Sequence, residues 1–303
     1  VLSGADGCRA VRALGLLAAG LTLPACGMHR DATKIGSKNF TEALLIGELY
    51  AQIIEDNNHS VQRRLDLGGT DIAMAAIQRG EIDCYPEYTG TALLVVLKAP
   101  QQGDAVQTFE FVKSEYERRY NLTWLDPAPM NNTQALATTK AIAEKYGLRT
   151  LSDVARIAPQ LRLGAVPEFV KRSDGLPGLQ RAYGGFNFKT ISLIDFGLKY
   201  KALLNGDVDI VVAFGTDGAI LADDLVVMRD DKLLFPPYQV APVFRTDALK
   251  ARPELAGILN GVAPLLTDSV MRGLNEQIDG PLKREPADVA RAFIKAHGLA
   301  SLS

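Results

Sequence analysis

The sequence predicts an α/β protein built of two similar lobes, the second inserted into the first. Three observations carry that expectation. Apolar, strand-like runs alternate with amphipathic helical ones along the chain, the pattern of layered α/β folds. A helix–Gly–strand unit occurs twice: Ala76 to Asp83 reads against Ala202 to Asp209, and an aromatic, Tyr88 or Phe214, stands five residues beyond each Asp. Two proline-set stretches, Asp126 to Thr133 and Pro236-Pro237-Tyr238, cannot be helix or sheet interior and read as two crossings between lobes.

Taken in order, residues 33–37 read as a first strand and 41–56 as an amphipathic helix. Leu44, Leu45, Leu49 and Ile53 fall at helical spacing there, with Asn39 or Thr41 as cap. Residues 61–67 alternate as a strand, Gly68-Gly69-Thr70 turns the chain, and 71–79 is the next helix. The strand leading to Tyr88 follows, then a helical stretch over 91–97, a loop over 100–104, a helix over 106–120 and a strand over 121–125. Beyond the first crossing the second lobe begins at Ala135. It continues with helices near 140–158, a strand over 162–166, a loop-rich stretch, a strand over 189–193, a helix over 196–204 and a strand over 208–214. After the second crossing a strand over 240–244 returns to the first lobe, and helices near 253–260, 268–278 and 286–297 close the chain. The expected organisation is an export signal over 1–26, the first lobe over 27–132 and 238–303, and the second over 133–237.

The repeated unit has a simple physical logic. An apolar helix end runs into a Gly able to take the left-handed cap conformation, and an acidic turn leads into an apolar strand. Each aromatic then lands at the carboxyl end of its strand, where open α/β sheets bind ligands. Two lobes therefore offer one ring each to a shared cleft, and two crossings that move together form a hinge.

Bulk properties exclude several classes. The chain has 303 residues, 47% hydrophobic and 22% charged, with a formal net charge of -2. No basic run is present to hold nucleic acid. Three cysteines without a C-x-x-C pair, and three scattered histidines, argue against a metal or redox centre, so no metal or cofactor is expected. No phosphate loop, G-x-S-x-G elbow, H-E-x-x-H helix or dinucleotide fingerprint occurs, and the chain is not expected to be an enzyme. Glu81, Asp83 and Glu87 lie close in sequence, but such neighbours mostly satisfy turns and ion pairs.

Near the N-terminus, Arg9 and Arg12 precede an apolar run over 13–21 that is too short to span a bilayer and suits a secretory signal. Leu23-Pro24-Ala25-Cys26 resembles a bacterial lipobox, in which Cys26 would be acylated; the bland alternative is an ordinary signal with an incidental cysteine. Both export the protein. Acylation would also hold it at a membrane surface and leave Cys84 as the one remaining thiol, packed as a small hydrophobe.

Several segments together, in order and spacing, resemble a known family over nearly the whole mature chain: Ile35-Gly36-Ser37-Lys38-Asn39-Phe40-Thr41-Glu42, Leu67 to Thr70, Gly80 to Thr91, Asn131-Asn132-Thr133, Arg172 to Leu179, Thr216-Asp217-Gly218 and Phe235 to Tyr238. The chain is similar to substrate-binding proteins of osmoprotectant ABC importers, which take glycine betaine, choline, carnitine and related quaternary amines. The resemblance implies a type II periplasmic-binding-protein fold, a small quaternary-amine ligand, and as partners an ABC permease with a cytoplasmic ATPase. A monomer is expected. It also implies an aromatic cage at Tyr88, Gln134, Phe214 and Tyr238. A quaternary amine has no N–H to donate, so ring faces and methyl packing must recognise it. Full-cage members carry Tyr where this chain has Gln134 and Phe214. That leaves three rings and one amide, which implies either weaker binding of simple betaines or a larger betaine, such as ergothioneine, with a group for Gln134. Positions matching Lys38 and Thr91 lie near the ligand carboxylate, Asn132 matches a polar contact at the crossing, and Arg172 is a further candidate for an anionic group. Two other functions stay open on residues alone, an enzyme on the same fold and a receptor that reports a solute to a membrane sensor.

Overall fold

The computed structural model describes residues 32–299. The expected export signal over 1–26, with Cys26, lies outside the described residues. Two five-stranded sheets organise the rest. In chain order the strands are β1 (Thr33–Gly36), β2 (Val61–Arg64), β3 (Cys84–Tyr88), β4 (Leu122–Trp124), β5 (Gln134–Thr138), β6 (Arg162–Ala165), β7 (Thr190–Leu193), β8 (Ile210–Phe214), β9 (Val226–Val227) and β10 (Val240–Arg245). The first sheet runs β2-β1-β3-β10-β4 and the second β7-β6-β8-β5-β9. In each sheet three strands run parallel, and the strand that follows a crossing, β10 or β5, is antiparallel to its neighbours. The two sheets are therefore one topology used twice, and β3 and β8 hold the same place in it. This is the α/β, two-lobed, type II binding-protein architecture with the second lobe inserted into the first.

The repeat read from the sequence does the same work in both lobes. Gly80 and Gly206 take positive φ of 70° and 76°, ending one element and turning the chain at no steric cost. Asp83 then accepts the backbone N–H of Lys34 at 2.9 Å, and Asp209 that of Arg162 at 2.8 Å. Each carboxylate clips the start of its own strand to the start of the neighbouring parallel strand. Register is thereby set, and the aromatic at the far end of β3 or β8 is delivered to the cleft rather than to a sheet face.

The helices are α1 (Thr41–Asp56), α2 (Thr70–Gln78), α3 (Thr89–Thr91), α4 (Ala105–Tyr120), α5 (Lys140–Tyr146), α6 (Leu151–Ile157), α7 (Leu176–Tyr183), α8 (Lys199–Leu204), α9 (Ala219–Ala222), α10 (Thr246–Ala251), α11 (Glu254–Asn260), α12 (Asp268–Asp279) and α13 (Pro286–Ala296). The apolar stripe of α1 packs with α11, α12 and α13 against one face of the first sheet; α2 and α4 cover the other. The second sheet has its own two cores. Cys84 is buried and free, as its apolar strand implies.

Three local readings differ. The loop-rich stretch after β6 contains α7: Leu176-Pro177-Gly178 looks like punctuation, but Pro in the first turn of a helix starts it, since its missing N–H is not needed there. Neither Asn39 nor Thr41 caps α1; Phe40 holds the cap position without a side-chain bond, and the Thr41 hydroxyl donates to Asp279 instead. The helical stretch near 91–97 widens into a π turn over Ala92–Val96, closed by the Leu97 N–H on the Ala92 carbonyl at 2.9 Å. Such widened turns occur often beside functional sites.

Candidate functional site

The carboxyl ends of β3 and β8 meet across the space between the two sheets. Tyr88 ends β3 opposite Val240, two residues after Tyr238, and Phe214 ends β8 directly opposite Gln134. Lys38 lies just past β1, Thr91 ends α3, Asn132 lies on the first crossing, and Arg172 precedes α7. Lys38, Tyr88, Thr91, Asn132, Gln134, Arg172, Phe214 and Tyr238 all line a single cavity of about 50 Å³, shared with Phe40, Thr70, Val166, Glu168, Phe169 and Phe196. A water needs only about 10–15 Å³ by this measure, so the space suits a compact solute rather than one solvent molecule. A wider cleft of about 760 Å³ shares Phe40, Asn132, Phe196 and Phe214 with it.

The rings form a continuous path from one lobe to the other. Tyr88 and Phe40 have centroids 5.8 Å apart, Phe40 and Phe196 5.7 Å, and Phe196 and Phe214 5.9 Å, all inside the range of favourable aromatic contact. Tyr238 closes on Gly90, where a Cβ would meet ring carbons at 2.7 Å. Any side chain at position 90 would push that ring out of place.

Every charge at the cavity already has a partner. The Lys38 ammonium, 3% exposed, donates to Glu87 at 2.6 Å, and its nitrogen lies 5.4 Å from the centroid of the Tyr88 ring. Lys38 is thus half of a buried ion pair at the cavity wall. Glu87 also accepts from the Tyr85 hydroxyl and the Tyr88 N–H. Arg172 grips Asp174 through two bonds of 2.8 and 2.6 Å and reaches Thr91 at 3.3 Å. Burial works against ionising either member of that pair. Their mutual bonds prevail: Arg172 is held above the usual guanidinium range and Asp174 below the usual carboxylate range. Asp174 further accepts from the Tyr238 hydroxyl at 2.6 Å and from the Gln134 amide at 2.7 Å. A carboxylate cannot donate, so the Gln134 NH₂ must face Asp174, and its Oε1, with no partner among the described residues, is left to the cavity side. Lys199, on α8, packs 4.6 Å from the Phe214 centroid and pairs with Asp217 at 2.7 Å.

Sequence reasoning missed Phe40, Phe196, Glu42 and Asp174; Glu87, read as an ion-pair partner, is one, with Lys38. Phe40 and Glu42 stood inside a segment already singled out, and Asp174 two residues past Arg172; their order was visible but not their direction. Phe196 carried no signal, because it was read as the first residue of a helix over 196–204, whereas α8 begins at Lys199. Among the described residues no group of three or more His, Cys, Asp or Glu is placed to hold a metal, and no helix is long and apolar enough to cross a membrane.

The comparisons with known proteins agree with this geometry. A family model described as the substrate binding domain of ABC-type glycine betaine transport systems matches residues 31–296. The chain is 35% identical over 288 residues to the ergothioneine transport permease/ergothioneine binding protein EgtU of Helicobacter pylori, covering 94% of this chain but only 51% of that longer protein. It is 34% identical over 302 residues to a glycine-betaine-binding protein of Pseudomonas aeruginosa, covering 96% of each. Among solved structures, that of a glycine betaine/carnitine/choline ABC transporter superposes with a TM-score of 0.72 at 33% identity, covering 89% of this chain and 100% of the other. The repeated topology, the aromatic cleft and these matches lead to one assignment: the chain belongs to the family of substrate-binding domains of ABC-type glycine betaine transport systems.

Proposed function

We propose that this protein captures a zwitterionic quaternary-ammonium solute between its lobes and hands it to an ABC permease driven by a cytoplasmic ATPase. Members of this family work outside the cytoplasm, and transport rather than catalysis is their role. The observation that carries the ligand class is the single cavity onto which Tyr88, Phe214 and Tyr238 converge with Phe40 and Phe196. Ring faces attract a cation that cannot hydrogen-bond, by about 2 kcal/mol for each desolvated contact. The polar end of the ligand falls to Thr91, to the Lys38 protons not used by Glu87, and to Arg172. These are donors placed beside neutralised pairs, and they favour a carboxylate-bearing zwitterion over choline. Calorimetry with glycine betaine, carnitine, proline betaine, choline and ergothioneine tests this; no binding below about millimolar for any of them refutes the class.

A second reading is favoured by Gln134. Its Oε1 is an acceptor on the cavity wall, which glycine betaine cannot satisfy and a ligand with its own N–H or O–H can. A betaine bearing such a donor, as carnitine and ergothioneine do, uses every wall of the site. The two readings separate in the Gln134→Tyr variant. Gain of a fourth ring is expected to tighten glycine betaine several-fold and to weaken a donor-bearing betaine. If both ligands respond alike, Gln134 is not selective.

We further infer that the protein acts as a monomer anchored through acylated Cys26. Cys26→Ser is expected to move it from the membrane to the soluble fraction, and an unchanged distribution would discard the anchor.

A further inference from the structure

Glu42 has no assigned part in ligand binding, yet four side chains converge on it. Its Oε1 accepts from the Tyr88 hydroxyl at 2.8 Å and from Asn132 Nδ2 at 2.7 Å. Its Oε2 accepts from Asn275 Nδ2 at 3.0 Å and from the Thr216 hydroxyl at 2.5 Å. Tyr88 is a cavity ring, Asn132 lies on the crossing, and Asn275 is on α12 of the first lobe. Thr216 alone belongs to the second lobe, just beyond Phe214. Both asparagines turn their NH₂ groups to Glu42 and leave their own buried Oδ1 atoms without a protein partner. Two unsatisfied carbonyls are a steep concession, so the environment is arranged around this carboxyl. The same corner carries two further bonds between lobes, Asn275 Nδ2 to the Thr216 carbonyl at 2.9 Å and Arg272 Nε to the Gly215 carbonyl at 2.9 Å.

We propose that Glu42 is a positioning residue that fastens lobe closure to the ligand's cage: one carboxyl group holds the Tyr88 ring in place and receives Thr216 when the second lobe swings in. The inference rests on the reading that the cavity binds a quaternary amine. A ring already held by Glu42 gives the second lobe a formed surface to close on, and Thr216 docks only if that carboxyl is where Tyr88 keeps it. Opening the lobes breaks the Thr216 bond and leaves Glu42 with its three first-lobe partners.

The protonation of the clasp provides a readout that simple packing would not. Burial pushes the Glu42 carboxyl up to about 7, against the hydrogen bonds of Thr216, Asn275 and Tyr88 that pull it down. The other charged groups at this corner are Asp217, which is paired with Lys199, Asp279 on α12, which bonds Thr41, and Arg272 on α12, which is bonded to the Gly215 carbonyl. A protonated Glu42 keeps all four contacts by donating through Oε2 to the Thr216 oxygen. Glu42 borders the wide cleft, so parting the lobes lets water reach the carboxyl and returns it toward its ordinary value; closure, which buries it again, then takes up a proton. Affinity is therefore highest below neutral pH and declines as pH rises through about 7.

The test uses the purified protein with glycine betaine, carnitine and ergothioneine as probes, titrated from about pH 5.5 to 8.5, a window that brackets the Glu42 value. Glu42→Ala is expected to weaken binding at least tenfold at every pH, and Thr216→Val several-fold. The double variant should be no weaker than Glu42→Ala alone, because both act through one bond. Glu42→Gln removes the titration but sets an amide NH₂ against Asn275 Nδ2, so it should bind several-fold weaker than the unaltered protein at low pH and show no further decline above 7. Thermal unfolding identifies any variant that has simply failed to fold, and Glu42→Gln then decides alone. Glu42→Gln with an unaltered pH profile, or Glu42→Ala and Thr216→Val whose effects add in full, overturns the clasp. If the unaltered protein binds none of the probes, the ligand class fails instead, and the two failures are distinguishable.

Discussion

Alanine at position 88 is expected to weaken a quaternary-amine ligand by well over tenfold. Tyr88 contributes a ring to the cavity wall, lies within 5.8 Å of Phe40, and donates to Glu42 at 2.8 Å. Loss of one desolvated ring face removes about 2 kcal/mol, roughly thirtyfold in affinity. Displacement of Phe40 into the vacated space and release of the Glu42 contact add to this. The same change also opens a hole in a packed core and is expected to lower stability by about 3 kcal/mol. Tyr88→Phe separates the contributions: it keeps the ring and loses the hydroxyl that Glu42 accepts, so it should bind more weakly than the unaltered protein, no more weakly than Glu42→Ala, and more tightly than Tyr88→Ala. Calorimetry with circular dichroism as a folding control measures both. Equal affinities for the alanine variant and the unaltered protein would mean that this ring is core and not cage.

The second large effect is on stability. Asp174→Ala removes one end of a buried pair and strands the Arg172 guanidinium, the Tyr238 hydroxyl and the Gln134 amide together. Breaking a buried pair from one side costs roughly 3–5 kcal/mol, because an uncompensated charge remains. For a chain of this size that corresponds to a fall in melting temperature of roughly 10 °C. Replacing both partners, Arg172→Met with Asp174→Leu, should recover most of the loss and still impair binding, since Tyr238 and Gln134 lose their common acceptor. A single variant that melts within a degree or two of the unaltered protein would show that the pair is solvated in solution.

The succession of strands along the chain and the place of the cleft were legible because they rest on local chemistry. Gly80 and Gly206, Asp83 and Asp209, and Tyr88 and Phe214 could be matched by eye, and each pair occupies equivalent places in the two sheets. Prolines near 127 and 237 marked the crossings for the reason that they mark any break in a backbone ladder. The helix at 176–183 was hidden because Pro and Gly start helices as well as end them. Side-chain partnerships were out of reach for a different reason. Whether Lys38 meets a ligand carboxylate or Glu87 depends on a contact between residues far apart in the chain, and neither residue type decides it. The eight candidate residues do share one cavity, but the resemblance, not periodicity, had singled them out. Asp174, which orders three of their side chains, stood in the Arg172 to Leu179 segment without a role, because sequence order does not show which side chains a carboxylate faces.

The place of β10 in the first sheet has a consequence for how the chain is made. It lies between β3 and β4, and among the described strands it is the only one that pairs with β4. A nascent chain that has emerged only as far as the second lobe therefore holds β3 with a bare edge and β4 with nothing beside it. The N-terminal lobe must wait for β10, which follows the whole of the second lobe, before its ladder can be completed. The inserted lobe, whose strands are contiguous in sequence, has no such delay. Translation and export thus impose an order of assembly opposite to the order of synthesis, in which the module threaded second is the first able to mature.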